Sequence, residues 1–363
     1  MVNVFDKMVS RISGGRMLIA GAALLILLIW SGIIWQLNNM EKQEISDSTK
    51  RGAEYARSFG EYTLRTVQSA DQVATFLRYQ CEYSLATTGK VNVEMTPYRG
   101  DGMLGISPYV LITLVDENGN VITTNQEVVV FANVSDREHF RVHKDVDIKR
   151  AFVSKPVLGR SSGKWSMQLT RRINKPNGDF GGIVVVSLDP FYLTGFYKQT
   201  NMGPQSVAAL IGMDGIIRGW QSGARTETNI DFNNEAIISA MSSNDVIVKR
   251  VVSVVDGVDR ILFVRALKEY PLLVCIGLSP EDILADYRNK QQDYIFNGAV
   301  VTIAILALSI FLISWLEIQQ DSRRRRTMLQ EILEDTDGTE TLNEAGRAIV
   351  NIIKKYVTLD NCV

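Results

Sequence analysis

Histidine is almost absent from this chain. His139 and His143 are the only two among 363 residues, and both lie in one stretch, SDREHFRVHKD, residues 135–145. A Ser-His-Asp arrangement therefore has little material to draw on, and neither a Gly-x-Ser-x-Gly elbow nor a Walker-type glycine loop is present. No catalytic residue and no cofactor is expected. Cysteine is equally scarce: Cys81, Cys275 and Cys362 are too few for a disulfide framework. Cys81 and Cys275 are expected as separate buried thiols, with a bridge between them the alternative. An excess of positive charge is also missing. The formal net charge is -1, so nothing points to a nucleic-acid partner.

Charge of either sign is lacking in two further places. Residues 17–37 (MLIAGAALLILLIWSGIIWQL) and 294–316 (YIFNGAVVTIAILALSIFLISWL) contain no ionised side chain. Each has the length of about 20 residues that crosses a hydrocarbon layer of roughly 30 Å. Both are expected to be transmembrane helices, the first an uncleaved anchor because no small-residue cleavage site follows it. Lys7, Arg11 and Arg16 precede the first run and Arg323 to Arg326 follow the second. By the positive-inside rule both termini, 1–16 and 317–363, are expected in the cytoplasm. Residues 38–293 are then exterior, which for a bacterial inner-membrane protein means the periplasm.

The exterior region begins without proline. Over residues 40–88, Ala53, Ala56, Phe59, Leu64, Val67, Ala70, Val73 and Leu77 recur at near-helical spacing, predicting a long helix that continues the first span. Gly52 and Gly60 are expected to weaken it by about 1 kcal/mol each. Strand patterns follow, and they occur twice. YVLITLVDENGNVITTN (109–125) and SVAALIGMDGIIRGW (206–220) are both strand, acidic turn, strand. GGIVVVSLDPFYLTGFY (181–197) and PLLVCIGLSPEDILADY (271–287) are both a buried strand leading through proline into a helix. Two copies of one α+β unit of about 90 residues are implied, over about 105–200 and about 204–290.

This arrangement resembles the double Cache sensor domain of bacterial receptors. The local text that carries the resemblance is SDREHF, KPVLGRSSGKWSMQLTRRI and FGGIVVVSLDPFYL. It looks like the membrane-distal module found in diguanylate cyclases, histidine kinases and chemoreceptors. The resemblance implies two tandem PAS-like antiparallel sheets carried by a long helix, ligand binding in the distal module, and a homodimer. In relatives that bind amino acids, an Arg-x-Trp-Tyr segment enters the pocket and an Asp near the end of the last strand holds the amino group. The similar positions here are Arg137, His139 and Phe140, with Ser187 in place of that Asp. An anionic small molecule without an α-amino group, such as an organic acid, is the expected ligand.

SDREHFRVHKD admits several readings. His139 and His143, four apart, would share a helical face as zinc ligands do, but Phe140 stands where a metalloprotease needs Glu and no third ligand is evident. No metal site is expected. A solvated charged helix and a ligand clamp remain. In a clamp, Arg137 offers a planar fork for a carboxylate, Arg141 lies close in sequence, and His139 would add charge in mildly acidic surroundings. Trp165, Met167 and Leu169 alternate with Ser166, Gln168 and Thr170 along a predicted strand, and one of these faces must line the cavity. Trp165 and Gln168 join the candidates, with Trp165 more readily core; Arg160 and Arg172 are expected at the surface. Asp189 is expected to cap the helix that opens at Pro190.

Beyond Arg326 a helical linker is expected, then a capping box at Thr341 and Glu344, an amphipathic helix and a strand at LDNCV, similar to the start of a GAF domain. No GGDEF motif and no histidine follow His143. The chain is expected to be the sensor and transmembrane part of a longer signalling protein, or else to act on a separate cytoplasmic output protein. A membrane-anchored protein-interaction module is the alternative function, and a periplasmic metal-dependent enzyme the third.

Overall fold

The computed structural model describes residues 2–95, 109–126, 132–160, 162–232, 241–243, 245–336, 346, 347 and 349–351. They fall into two compact units, Glu41–Tyr287 and the pair of segments Met1–Met40 and Arg288–Val363.

The larger unit is built on helix α1 (Val2–Thr88). Its buried positions, Ala56, Phe59, Thr63, Val67, Ala70, Ala74, Leu77 and Cys81, follow one another at steps of three and four residues. That spacing keeps one stripe facing the same way through seven turns. Gly52 does more than weaken the helix: a side chain there would strike the ring of Phe263, so its absence lets helix and sheet approach closely.

Two antiparallel sheets lie on that stripe. The first comprises β1 (Tyr109–Val115), β2 (Val121–Thr124), β3 (Phe152–Leu158), β4 (Trp165–Asn174) and β5 (Phe180–Leu188), in the order β2-β1-β5-β4-β3. Helix α2 (Glu138–Asp145) lies between β2 and β3 in the chain; α3 (Pro190–Thr194) and α4 (Phe196–Gln199) follow β5. The second comprises β6 (Val207–Gly212), β7 (Ile217–Ser222), β8 (Arg225–Glu227), β9 (Ile247–Val252), β10 (Asp259–Leu267) and β11 (Leu272–Leu278), ordered β8-β7-β6-β11-β10-β9. Apart from the short edge strand β8, the two orders are the same. The repeat read from the sequence is thus a repeat of topology.

The matching sequence pairs do matching work. Asp116 accepts backbone bonds from Asn118 and Asn120 in the first hairpin, and Asp214 accepts one from Ile216 in the second. Asp189 caps α3 through the N–H of Phe191, and Ser279 caps α5 (Pro280–Ile283) through that of Glu281, each ahead of a proline. The inner faces of both sheets join α1 in one core, with Met167, Leu169 and Val186 of the first and Leu210, Val274 and Ile276 of the second. Cys81 and Cys275 are separate buried thiols. The sheets also meet through α3, where Pro190 sits against Gly219 of β7 so closely that a side chain at 219 would strike its carbonyl.

In the smaller unit, the start of α1 lies beside α6 (Ala285–Thr336). Both helices are long and apolar enough to cross a membrane. Large apolar side chains such as Leu27, Ile303 and Ile310 are about two-thirds exposed (67%, 66% and 66%). Trp30 Nε1 donates to Thr302 Oγ1 at 3.1 Å, while Thr302 donates to the carbonyl of Gly298. The capping box at Thr341 and the strand at LDNCV lie outside the described residues.

Candidate functional site

The face of the first sheet that turns away from α1 forms the floor of a cavity open to solvent. Strand alternation decides which side chains reach it. On β1, Leu111, Thr113 and Val115 face the cavity while Ile112 and Leu114 face the core. On β5, Val185 and Ser187 face it while Val184, Val186 and Leu188 do not. On β4 it is Gln168 that lines the cavity, with Met167 and Leu169 packed on α1. The choice left open by the alternation on β4 is thereby settled in favour of the polar face.

The floor is wired. Ser187 donates to Gln168 Oε1 at 2.6 Å, Gln168 Nε2 donates to Ser166 at 2.8 Å, and the Gln168 backbone N–H donates to Ser154 at 3.0 Å. These bonds orient the amide and leave one N–H of Gln168 Nε2 without a bond to Ser166.

The wall comes from α2 and the segment around residues 157–162. Arg137 is the residue at which α2 begins, its backbone extended (φ -79°, ψ 144°). Among the described residues its guanidinium has one protein hydrogen bond, to the Leu158 carbonyl at 3.5 Å, and no carboxylate partner. Its neighbour Asp136 is taken by Arg160 through two bonds of 2.7 Å, and Arg160 also donates to the Asn133 carbonyl at 2.6 Å. Those bonds to Arg160 hold the Asp136 carboxyl down at about 2. Arg160, expected as a plain surface residue, therefore ties the start of α2 to the β3–β4 loop and lines the cavity with Arg137.

His139 lines the cavity too and is only 5% exposed. Its Nδ1 is buried without a partner among the described residues. Burial first, then the nearby charge of Arg137, pushes its pKa down to about 4. The expected help from a charged imidazole in mildly acidic surroundings is thus corrected: this ring is neutral there. His143, fully buried, is bonded at Nε2 to Thr170 Oγ1 at 2.9 Å, and Thr170 donates to the His139 carbonyl. That hydroxyl has one proton, so the arrangement assigns the Nε2–H tautomer to a neutral His143. Burial sets its pKa at about 4 as well.

Of the seven side chains picked from the sequence, Arg137, His139, Gln168 and Ser187 meet at this cavity. The other three stand elsewhere. Phe140 is fully buried and packs edge-on against Phe180 at 5.3 Å, anchoring α2 to the sheet. Arg141 is exposed on the outer side of α2. Trp165 is neither core nor cavity: at the open end of β4, opposite Leu158, it is 39% exposed. Thr113 was missed, although it is the one polar residue in the otherwise apolar run YVLITLV apart from the terminal Tyr109. Arg172, expected at the surface, is half-buried, stacked over Phe180 and bonded to the His143 carbonyl.

No family model matches this chain, and neither does any curated protein. Solved structures do. The extracellular domain assigned to histidine kinase rpHK1S-Z16 is 24% identical, with a TM-score of 0.58 over 66% of this chain and 98% of that one. The periplasmic sensory domain of the Campylobacter jejuni chemoreceptor Tlp1 is 10% identical, with a TM-score of 0.50 over 66% of this chain and 98% of its own. The two-sheet unit thus has the fold of extracytoplasmic sensor domains of the double Cache type.

Proposed function

We propose that this protein is a transmembrane sensor whose first sheet binds a small anion, a carboxylate without an α-amino group. The observation that carries this reading is Arg137, a guanidinium without a carboxylate partner at the wall of a cavity whose lining, among the described residues, contains no Asp or Glu. A carboxylate would find the planar fork of Arg137 on one side and the Thr113 hydroxyl and the remaining amide N–H of Gln168 on the other, with Ser187 holding that amide in place. Charge-assisted bonds of this kind contribute on the order of 1.5 to 3 kcal/mol each when shielded. An ammonium group would find no counter-ion. His139 lines the cavity as a neutral ring and adds no second cation to it.

The signal then has a physical route. Ser187 is three residues before Pro190, and Pro190 rests on Gly219 of the second sheet. A ligand that draws β5 toward Arg137 shifts that joint, and it biases the two states only by its difference in affinity for them, of about 1 to 3 kcal/mol. Residues 17–37 and 294–316 are the proposed spans, with the sheets on the periplasmic side and both termini inside.

Binding is tested by thermal shift on the full chain in nanodiscs, comparing acetate, pyruvate, malonate and succinate with glycine, alanine and aspartate. At 100 times its Kd a ligand of the folded state stabilises it by about 2.7 kcal/mol, which a melting scan resolves. The expected result is a rise with at least one simple carboxylate that disappears in Arg137→Ala while the melting temperature without ligand is kept. A panel without any shift, or an Arg137→Ala variant that responds like the parent, would sink the proposal.

A further inference from the structure

Helix α6 runs without interruption from Ala285 to Thr336, well past the uncharged run 294–316. Beyond that run stand four consecutive arginines, Arg323 to Arg326, and all four are exposed. Successive residues of an α-helix are about 100° apart, so these side chains leave the helix in every direction. A protein partner meets one side of a helix, whereas a ring of charge fits a surface that surrounds it. Two carboxylates share the stretch, Glu317 and Asp321, and Arg325 Nε donates to Asp321 at 3.1 Å. Both members of that pair are largely exposed (78% and 60%), so water screens it and little of the arginine charge is lost to it.

The height of the ring follows from where α6 meets the start of α1. Trp30 is bonded to Thr302 and Ile33 lies against Gly298, so the two helices run antiparallel. A hydrocarbon layer of about 30 Å centred on the run 294–316 would end close to Trp315, which is 47% exposed and stands where interfacial aromatic rings sit. Arg323 to Arg326 follow eight to eleven residues later, about 12 to 16 Å further out. Headgroups fill about the first 5 to 7 Å of that distance. The rest is comparable with the Debye length of about 8 Å over which a cation still feels an anionic surface. In an α-helix the Cα–Cβ bonds tilt toward the N-terminus, and for this segment that direction is the membrane. The four arginine stems therefore lean back toward the headgroups.

We infer that Arg323 to Arg326 form a collar that binds the phosphate groups of anionic phospholipids on the side of the membrane proposed as cytoplasmic; this rests on the proposed span at 294–316. The collar gives those arginines a ligand, a lipid surface, beyond their weight in orienting the chain.

The full chain is reconstituted in phosphatidylcholine nanodiscs carrying a trace of spin-labelled phosphatidylglycerol or, in a parallel sample, of spin-labelled phosphatidylcholine. Electron paramagnetic resonance separates lipid held at the protein from lipid free in the bilayer, which gives the ratio of the two association constants. The ratio is expected to favour the anionic lipid about two- to fivefold. It is expected to fall to near one in about 1 M sodium chloride, where the Debye length is about 3 Å. The combined substitutions Arg323→Gln, Arg324→Gln, Arg325→Gln and Arg326→Gln are expected to have the same effect in low salt. The two faces of a disc are equivalent, so a variant inserted the other way round reads the same; if it cannot be purified, the salt comparison on the parent decides. A chain that stays outside the discs would overturn the span and the collar together. With the chain in the discs, three results would overturn the collar alone: a ratio of one in the parent, a ratio indifferent to salt, or a ratio undiminished in the glutamine variant. The last would place the preference at Lys7, Arg11 and Arg16 instead.

Discussion

Two neutral imidazoles inside a charged segment make stability depend on pH in a particular window. Burial lowers the pKa of His139 and His143 to about 4, while in the unfolded chain it returns to about 6.5. Between about pH 6.5 and pH 4 the unfolded state binds more protons than the folded one, so stability falls as pH falls through that interval. The loss should reach roughly 2 to 4 kcal/mol per histidine at about 1.4 kcal/mol per unit, and level off below pH 4 where both states are charged. Urea unfolding at pH 7.5 and pH 5.0 checks this: His139→Gln with His143→Gln should lose most of the difference, and a variant with an undiminished difference would assign it to other groups. Gly182 gives a second residue-level prediction. Its φ is +127°, and a side chain would collide with the Val115 carbonyl. Gly182→Ala should therefore cost at least about 1 to 3 kcal/mol in the same assay. A variant as stable as the parent would show that the backbone there relaxes freely.

At the scale of elements, the long helix was legible because an alternation of three and four leaves a continuous stripe, and the strand pairs were legible because their turns carry Asp and Gly. The cavity was legible only in part. Alternation on β4 separates two faces but does not say which one meets α1; that depends on which side the helix covers. Trp165 was misplaced because it shares the core face of Met167 and Leu169 yet stands at the strand's open end. The pairing of Asp136 with Arg160 joins residues 24 apart, and no periodicity reveals it. The same holds for Asp71 of α1, which accepts two bonds from Arg171 of β4, at 2.5 and 2.8 Å, and one from Tyr270 at 3.1 Å. That carboxylate joins the first sheet, the helix and the segment before β11. Asp71→Ala should cost roughly 2 to 4 kcal/mol, somewhat less than a fully buried pair because both partners are slightly exposed (17% and 16%). A double-mutant cycle with Tyr270→Phe should show coupling above about 0.5 kcal/mol. Strict additivity would mean that the phenol contributes nothing to the joint.

At the scale of the whole molecule, what composition made plain was the division into two uncharged runs of 21 and 23 residues, each on a helix long and apolar enough to cross a membrane, and a mixed region between them. The duplicated fold was readable as well. The residue-by-residue equivalence of the two sheets was not, because it resides in strand register, which the sequence does not display. The hydrogen bond between Trp30 and Thr302 belongs to this scale too. In the bilayer the proposed spans would occupy, no water competes for it, and such bonds are worth about 0.6 to 2 kcal/mol. One residue of helical rise is about 1.5 Å, and a slide of two residues, about 3 Å, between the two proposed spans would stretch the bond beyond about 4 Å and break it. It would act as a detent: small ligand-driven displacements would be resisted up to a threshold and released beyond it. That threshold is of the same order as the 1 to 3 kcal/mol a bound ligand can supply. Under the proposed sensor function, Trp30→Phe should then move the response to lower ligand occupancy without touching the first-sheet cavity.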